Sequence, residues 1–265
     1  MSQTILAVLS GTVVGFSLGL VGGGGSILAV PLMLYVVGVA DAHVAIGTSV
    51  LAVAASAFAN LVGHWRAGTV KWGCASIFAA AGIVGATAGS TAGKLVDGQS
   101  LLFLFALIMF AAGFAMLRGR AAVGDPNVHI DARIAAKLVA LGLGAGFVSG
   151  FFGIGGGFLI VPGIMLGSGM PILNAVGCSL FSVGAFGLTI AINYAASGLV
   201  DWPIALEFIV GGALGGLLGT RAAVTLGKHK RALNYIFAAI LFVVATYMLT
   251  QNGTVLLAAS NHFNG

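Results

Sequence analysis

The sequence predicts an all-α polytopic membrane protein made of two inverted repeats, each a glycine-broken helical hairpin followed by three transmembrane helices. Hydrophobic residues make up 59% of the 265 residues and charged residues only 6%, whereas about a quarter of the residues of a soluble domain are charged. Apolar runs of membrane-spanning length recur along the chain. One glycine-rich segment interrupts these runs twice, at corresponding places in the two halves.

The apolar runs define the helices of this fold. About 20 apolar residues are needed to cross a hydrocarbon core of ~30 Å, and such segments must be helical because lipid offers the backbone no hydrogen bonds. The runs extend over Thr4–Ala40, Val44–Val62, Gly73–Gly93, Leu101–Leu117, Leu138–Leu166, Ala175–Ala196, Ile204–Leu218 and Ala232–Leu249.

The glycine-rich segment reveals an internal duplication. The stretch GFSLGLVGGGGSILAVP begins at Gly15, and GFVSGFFGIGGGFLIVP begins at Gly146. An offset of about 130 residues also pairs Gly47 with Gly177 and Trp72 with Trp202. We therefore divide the chain into a first repeat (1–118), a connecting loop (119–134) and a second repeat (135–265).

The basic loops indicate how the repeats are oriented. The richest ones contain Arg118, Arg120, Arg133 and Lys137, and then Arg221, Lys228, Lys230 and Arg231. Both are expected on the cytoplasmic side. The second broken segment and two ordinary spans lie between them, so the broken segment must cross an even number of times, as a hairpin.

Thr4–Ala40 is likewise too long for one span. A hairpin plus three helices makes an odd number of crossings, which inverts the second half and places both termini away from the cytoplasm. The distribution of lysine and arginine also reverses between the two copies. Arg66 and Lys71 mark a loop in the first repeat, whereas the corresponding loop around Asp201 lacks basic residues. The N-terminus shows no basic region or cleavage site of a signal peptide, so we expect the first helix to remain.

The glycine runs are the predicted binding site. Glycine allows a helix to break, and the amides that begin the next helix segment attract anions. Hydroxyl and amide groups nearby are placed to complete the site. The candidate substrate-binding residues are Gly22, Gly23, Gly24, Gly25, Ser26, Gly47, Thr48, Ser49, Asn60, Gly153, Gly155, Gly156, Gly157, Cys178, Ser179 and Asn193. Close helix packing is the alternative for the glycines, and interhelical hydrogen bonding is the alternative for the polar residues.

Several functions are disfavoured by what the sequence lacks. The glycine runs have no following lysine, unlike a nucleotide-binding P-loop, and no pair of carboxylates lies inside an apolar run, so we expect no enzyme and no cofactor. Cys74 and Cys178 suggest no disulfide framework, and the histidines form no metal-ligand cluster. The net charge of +5 comes from short loops, which indicates contact with the lipid bilayer rather than with nucleic acid.

The chain resembles the sulfite exporter TauE/SafE family. The resemblance is carried by Gly22, Gly24, Gly25 and Pro31, by the second run from Gly153 to Pro162, and by GTSV from Gly47. It implies a multi-pass inner-membrane permease for sulfur-containing anions such as sulfite or sulfoacetate, usually directed outward. The second copy reads GIGGG where the first reads GGGGS.

We therefore expect a secondary transporter that binds a sulfur oxyanion or organosulfonate at the glycine-rich breaks near the bilayer midplane and works by alternating access. A passive anion channel would use the same motifs. A membrane enzyme or accessory subunit would need a reactive cluster or docking domain. The coupling ion is open between a proton and sodium, and the sequence is compatible with a homodimer.

Overall fold

The computed structural model describes residues 2–118, 128, 130–155, 157–225 and 242–250. Over these residues the secondary structure is helical and contains no strand. Six of the described helices have the length and composition to cross a membrane. The prediction of an all-α polytopic membrane protein is confirmed.

Helices follow one another through short connections. The first half contains α1 (Ser2–Val21), a 3₁₀ helix (Gly22–Leu28), α2 (Ala29–Tyr35), α3 (Ala42–Arg66), α4 (Trp72–Gly93) and α5 (Gly98–Arg118). The second half contains α6 (Ala132–Phe152), α7 (Gly157–Ser168), α8 (Ile172–Ala195), α9 (Trp202–Thr225) and a helical segment over 242–250.

Aspartates fix where several helices begin. The Asp41 carboxylate accepts a hydrogen bond from the Val44 amide at 2.9 Å at the start of α3, and Asp131 accepts one from the Ile134 amide at 2.7 Å. Such N-caps satisfy amides that have no partner within the helix. Because Asp131 caps it, α6 begins at Ala132, inside the stretch 119–134 that the sequence assigned to the connecting loop.

Each glycine-rich segment folds back on itself. After α1 and the 3₁₀ helix, α2 returns the chain to the end of the bundle at which α1 begins. There the Gln3 side-chain amide donates to the Val37 carbonyl oxygen at 3.3 Å. In the second half, Gly153 ends α6 in the left-handed conformation with φ +63°, which suits glycine. The hairpin predicted for Thr4–Ala40 is therefore present.

The two halves are interleaved through glycine contacts. A Cβ atom on Gly11 or Gly15 of α1 would overlap the backbone of Phe208 or Gly212 of α9. In the same way, a Cβ on Gly146 of α6 would overlap the backbone of α4. These helices approach so closely because small residues line the contact. Thus α1 of the first half packs against α9 of the second half, and α6 of the second half packs against α4 of the first half.

The registers of these contacts give the helix directions. Along α1 and α9 the contacts advance together, so these helices are parallel, and the same holds for α6 and α4. By contrast, α3 and α8 are antiparallel, since Gly187 faces Ala54 whereas Gly177 faces Thr69. Equivalent helices of the two halves consequently point in opposite directions. The inverted orientation in a membrane stays a prediction, and these directions support it.

The bundle has two chemically different ends. We call the end where α3 stops the basic end, because Arg66, Lys71 and the first turns of α6 lie there. We call the end where α3 starts the acidic end, because Asp41, Asp97 and Asp201 cap helices there. Lys94, after α4, is the only lysine or arginine of the described residues at the acidic end.

Candidate functional site

The two glycine breaks begin at opposite ends of the bundle. Gly22 has φ +72° and faces Val176 and Ser179 in the first turns of α8, toward the basic end. Gly153 faces Ile46 in the second turn of α3, toward the acidic end. Each break therefore rests on the long central helix of the other half, and the chain beyond each break runs back toward the centre.

The returning arms meet beside the middle of α3 and α8. A Cβ on Gly155 would lie 3.1 Å from Val53 Cγ1, 3.7 Å from Val183 Cγ1 and 3.9 Å from Ser26 Cβ. Ser26 is fully buried. Among the predicted site residues, Gly155 and Ser26 are the ones that the structure brings together here. The backbone of one break thus lies against the hydroxyl-bearing residue of the other.

The remaining glycines of the runs continue these arms. Gly23, Gly24 and Gly25 are wound into the 3₁₀ helix, and Gly25 packs against the backbone of Leu18. Gly157 starts α7, whose first amides have no partner within the helix. Gly156 lies outside the described residues.

Thr48 and Cys178 secure loops. The Thr48 hydroxyl accepts a hydrogen bond from the Asp201 amide at 2.9 Å, and the Cys178 sulfur accepts one from the Lys71 amide at 3.2 Å. The two pairs are related by the repeat. Thr48, early in α3, holds the loop before α9, and Cys178, early in α8, holds the loop before α4. Their direct role in substrate binding stays a prediction.

Gly47, Ser49 and Ser179 belong to the same turns of α3 and α8. A Cβ on Gly47 would overlap the Leu199 carbonyl oxygen, so this glycine permits close packing. The hydroxyls of Ser49 and Ser179 donate to carbonyl oxygens three residues earlier, at 3.0 and 2.8 Å. Ser179 also lies 3.3 Å from the Cβ position of Gly22, which places its oxygen beside the first break.

Asn60 and Asn193 connect central helices to their outer neighbours. The Thr220 hydroxyl in α9 donates to Asn60 Oδ1 at 3.2 Å. The Asn193 amide donates to Ser90 Oγ at 2.6 Å and to Thr91 Oγ1 at 3.0 Å in α4. Asn60 lies toward the basic end and Asn193 toward the acidic end, so the two amides do not share one site.

Lys94 joins the end of α4 to the end of α8 at the acidic end, and it is not among the residues predicted from the sequence. Its ammonium group donates to Asn193 Oδ1 at 2.5 Å, to the Asn193 carbonyl oxygen at 3.1 Å and to Ser197 Oγ at 2.8 Å. It also lies 5.8 Å from the centre of the Tyr194 ring. Lysine suits this position, because the last carbonyl oxygens of a helix attract cations. The sequence signal that could have identified Lys94 is that it is a single basic residue among loops that carry acidic residues.

Lys94 borders an open cleft of about 790 Å³ at the acidic end. Polar side chains along it include Asp41, His43, Asp97 and Gln99. Two carboxylates and one ammonium group do not favour an anion in this cleft, so we regard Lys94 as a fastening between α4 and α8 rather than as a ligand.

We predict that replacing Lys94 by methionine loosens this fastening. The three hydrogen bonds are partly exposed and together contribute about 1 kcal/mol. A cysteine introduced by Tyr194→Cys should therefore react about fivefold faster with a membrane-impermeant maleimide once Lys94 is replaced. Labelling rates with and without Lys94→Met measure the effect. The Lys71→Met change at the basic end is the control, and equal rates in all three backgrounds would contradict the fastening role.

The described residues contain no cluster of three or more histidine, cysteine or acidic side chains that could hold a metal ion. The central helices α3 and α8 contain no aspartate or glutamate, and the described acidic residues precede helices, apart from Glu207 in the second turn of α9. The centre where Gly155 and Ser26 meet is therefore built from backbone, hydroxyl and aliphatic groups.

Comparisons with known proteins cover nearly the whole chain. A family model described as sulfite exporter TauE/SafE matches residues 7–248. A probable membrane transporter protein of Xylella fastidiosa (strain 9a5c) is 51% identical over 255 residues, which cover 96% of this chain and 98% of the relative. No solved structure is significantly similar.

More distant relatives have similar lengths. The probable membrane transporter protein YunE of Bacillus subtilis is 28% identical over 95% of this chain and 98% of its own. A probable membrane transporter of Methanocaldococcus jannaschii is 26% identical over 92% of this chain and 94% of its own. The similarity therefore includes both glycine breaks and the helices that surround them.

Proposed function

The chain belongs to the sulfite exporter TauE/SafE family of membrane transporters, and from this premise we propose that it carries a sulfur oxyanion or an organosulfonate out of the cell. Sulfite and sulfoacetate are the substrates to which the proposal refers. The protein would lie in the inner membrane with its basic end toward the cytoplasm, as the distribution of lysine and arginine favours.

The meeting of Gly155 and Ser26 is the observation that carries this proposal. The two breaks come from different halves and join between Val53 and Val183, which are central positions of α3 and α8. Backbone amides at the start of α7 together with a serine hydroxyl can replace part of the hydration of an anion. Described carboxylates, which would repel an anion, lie away from this centre.

The packing suggests which parts move during transport. Close glycine contacts hold α1 to α9 and α6 to α4, so each pair would move as one body. We propose that these pairs shift around the central meeting point of the breaks and open one end of the bundle at a time. At the acidic end, the Lys94 hydrogen bonds join α4 to α8 and would have to separate before release.

Saturable counterflow in proteoliposomes tests the transport function. Vesicles preloaded with unlabelled sulfite should accumulate radiolabelled sulfite transiently, and sulfoacetate should compete. Acetate and chloride serve as control anions. Uptake that rises linearly with concentration and shows no counterflow would indicate a channel, and the absence of uptake for every sulfur anion would overturn the substrate class.

A further inference from the structure

The Ser149 hydroxyl in the last turn of α6 is buried and has no hydrogen-bond partner within the described part of the chain. The residue is 0% exposed. A serine inside a helix commonly donates to a carbonyl oxygen one turn earlier, as Ser17 of α1 does to Val13 at 2.9 Å. Because buried polar groups are usually satisfied in native proteins, the Ser149 hydroxyl calls for a ligand or a water molecule.

Backbone hydrogen bonds fix Ser149 to the second glycine break. The Ile154 amide donates to the Ser149 carbonyl oxygen, and the Gly153 amide donates to the carbonyl oxygen three residues before it, each at 3.2 Å. Together they form the Schellman arrangement that ends a helix at a left-handed glycine. Ile154 directly precedes Gly155, which lies at the meeting point of the two breaks. Ser149 is therefore held close to that centre.

The returning helix α7 runs antiparallel to α6. Leu138 Cδ2, in the second turn of α6, lies 2.8 Å from the Cβ position of Gly167 near the end of α7. One turn further along α6, the Cβ positions of Gly142 and of Gly163 both lie beside Phe78. The pairing thus advances along α6 and moves back along α7 in step.

This register brings Ser149 level with the start of α7. Ser149 lies about three turns beyond Leu138 on the same face of α6. Gly157, the first residue of α7, lies about three turns before Gly167. The Ser149 hydroxyl therefore faces the N-terminal end of α7 inside the hairpin.

The start of α7 offers hydrogen-bond donors and no negative charge. Amides in the first turn of a helix have no partner within the helix, and the helix dipole gives this end a partial positive charge. Neither α6 nor α7 contains an aspartate or glutamate. A hydroxyl adds one O–H donor to such amides without adding a charge. This combination favours an oxygen of an anion.

The first repeat shows that the fold does not require a serine at this position. Alignment of the two glycine-rich stretches pairs Ser149 with Leu18, which is also fully buried. It pairs Gly157 with Ser26. Each half therefore carries one fully buried serine beside its break, after the break in the first half and before it in the second. The serine missing from GIGGG is thus balanced by a hydroxyl on the opposite arm.

From these observations we propose that Ser149 is a further substrate-binding residue, whose hydroxyl and the first amides of α7 bind one oxygen of sulfite or of a sulfonate group. The inference rests on the proposed function and adds to it a side chain from the second half. The anion is then held between a serine of each half, Ser26 and Ser149.

Isothermal titration calorimetry of the full-length protein with sulfite and with sulfoacetate tests the role of Ser149. Ser149→Ala removes only the hydroxyl, so the Kd should rise about tenfold or more, as expected for the loss of a hydrogen bond to a charged group. Ser149→Cys keeps a weak donor, so its Kd should lie between these values. Without ligand, Ser149→Ala should unfold at the same temperature or higher, since it removes an unpaired buried hydroxyl.

Ser17→Ala is the matched control. It makes the same change near the first break, at a hydroxyl that is already bonded within its own helix. Its Kd for both ligands should stay within about twofold of the wild type, since no donor to the anion is lost. Size-exclusion profiles confirm that each variant is folded.

The outcomes separate the two proposals. If folded Ser149→Ala binds both anions as tightly as the wild type, water satisfies the hydroxyl and the role of Ser149 is wrong, while the proposed function stands. Equal weakening by Ser17→Ala would also overturn that role. If the wild type binds neither sulfur anion, the proposed function fails and the role of Ser149 with it. Weaker binding by Ser149→Ala, with Ser149→Cys between and Ser17→Ala unchanged, supports the proposal.

Discussion

Gly146→Ala is expected to destabilise the folded protein strongly, whereas Gly144→Ala two residues away is expected to have almost no effect. A Cβ on Gly146 would overlap the Gly82 backbone in α4, and rigid backbone cannot rotate away. The helices would have to separate, at a cost on the order of 2–4 kcal/mol. Gly144 belongs to the same helix but meets no atom within 4 Å.

Thermal unfolding in detergent, followed by the monodisperse size-exclusion peak, measures this difference. Alanine is the better helix former, by about 1 kcal/mol in a helix interior, so Gly144→Ala should match or exceed the wild type. A Gly146→Ala protein as stable as Gly144→Ala would show that α4 and α6 are not packed as closely as described.

Gly155→Ala is expected to reduce transport at least tenfold while leaving most of the fold intact. This residue has φ +68°, a conformation that costs an alanine about 1–2 kcal/mol. Its Cβ would also press on Val53 at 3.1 Å, at the place where the two breaks meet. A small displacement of these backbone groups is enough to misplace donors to an anion.

The Gly169→Ala variant distinguishes the effect of backbone strain from the effect of the location of Gly155 at the centre. Gly169 has φ +70° and no atom within 4 Å of its Cβ position, so the alanine there meets similar backbone strain without contacting the centre. Counterflow of radiolabelled sulfite by equal amounts of folded protein compares the two variants. Equal activity of Gly155→Ala and Gly169→Ala would remove the meeting of the breaks from the proposed mechanism.

Sequence patterns predicted the helical class and the hairpins because length, hydropathy and glycine position are local properties. The repeat offset also pointed to related roles for residues such as Thr48 and Cys178. It did not show that these two hold loops, because their partners Asp201 and Lys71 are distant in sequence. A hydroxyl that binds a ligand and one that binds a backbone amide look alike in a sequence.

The candidate site was predicted in part. Glycine runs indicated the breaks, and we expected their tips to meet near the bilayer midplane. The breaks begin near opposite ends of the bundle, at Gly22 and Gly153, and the segments that meet follow these residues, at Ser26 and Gly155. The direction of the return arms decides which residues meet, and that direction depends on interleaving between the halves. Lys94 was missed because a lysine at a helix end usually reaches lipid or water, and its hydrogen-bond acceptors are about 100 residues away.

The pairing of α1 with α9 also constrains how the protein is made. The end of α1 at Val21 is synthesised about 180 residues before α9 begins at Trp202, which corresponds to about 9–36 s of translation at typical rates. During that interval the glycine face of α1, including Gly11 and Gly15, has no companion helix. Insertion machinery or surrounding lipid must shelter this face in the nascent chain until the late helix arrives.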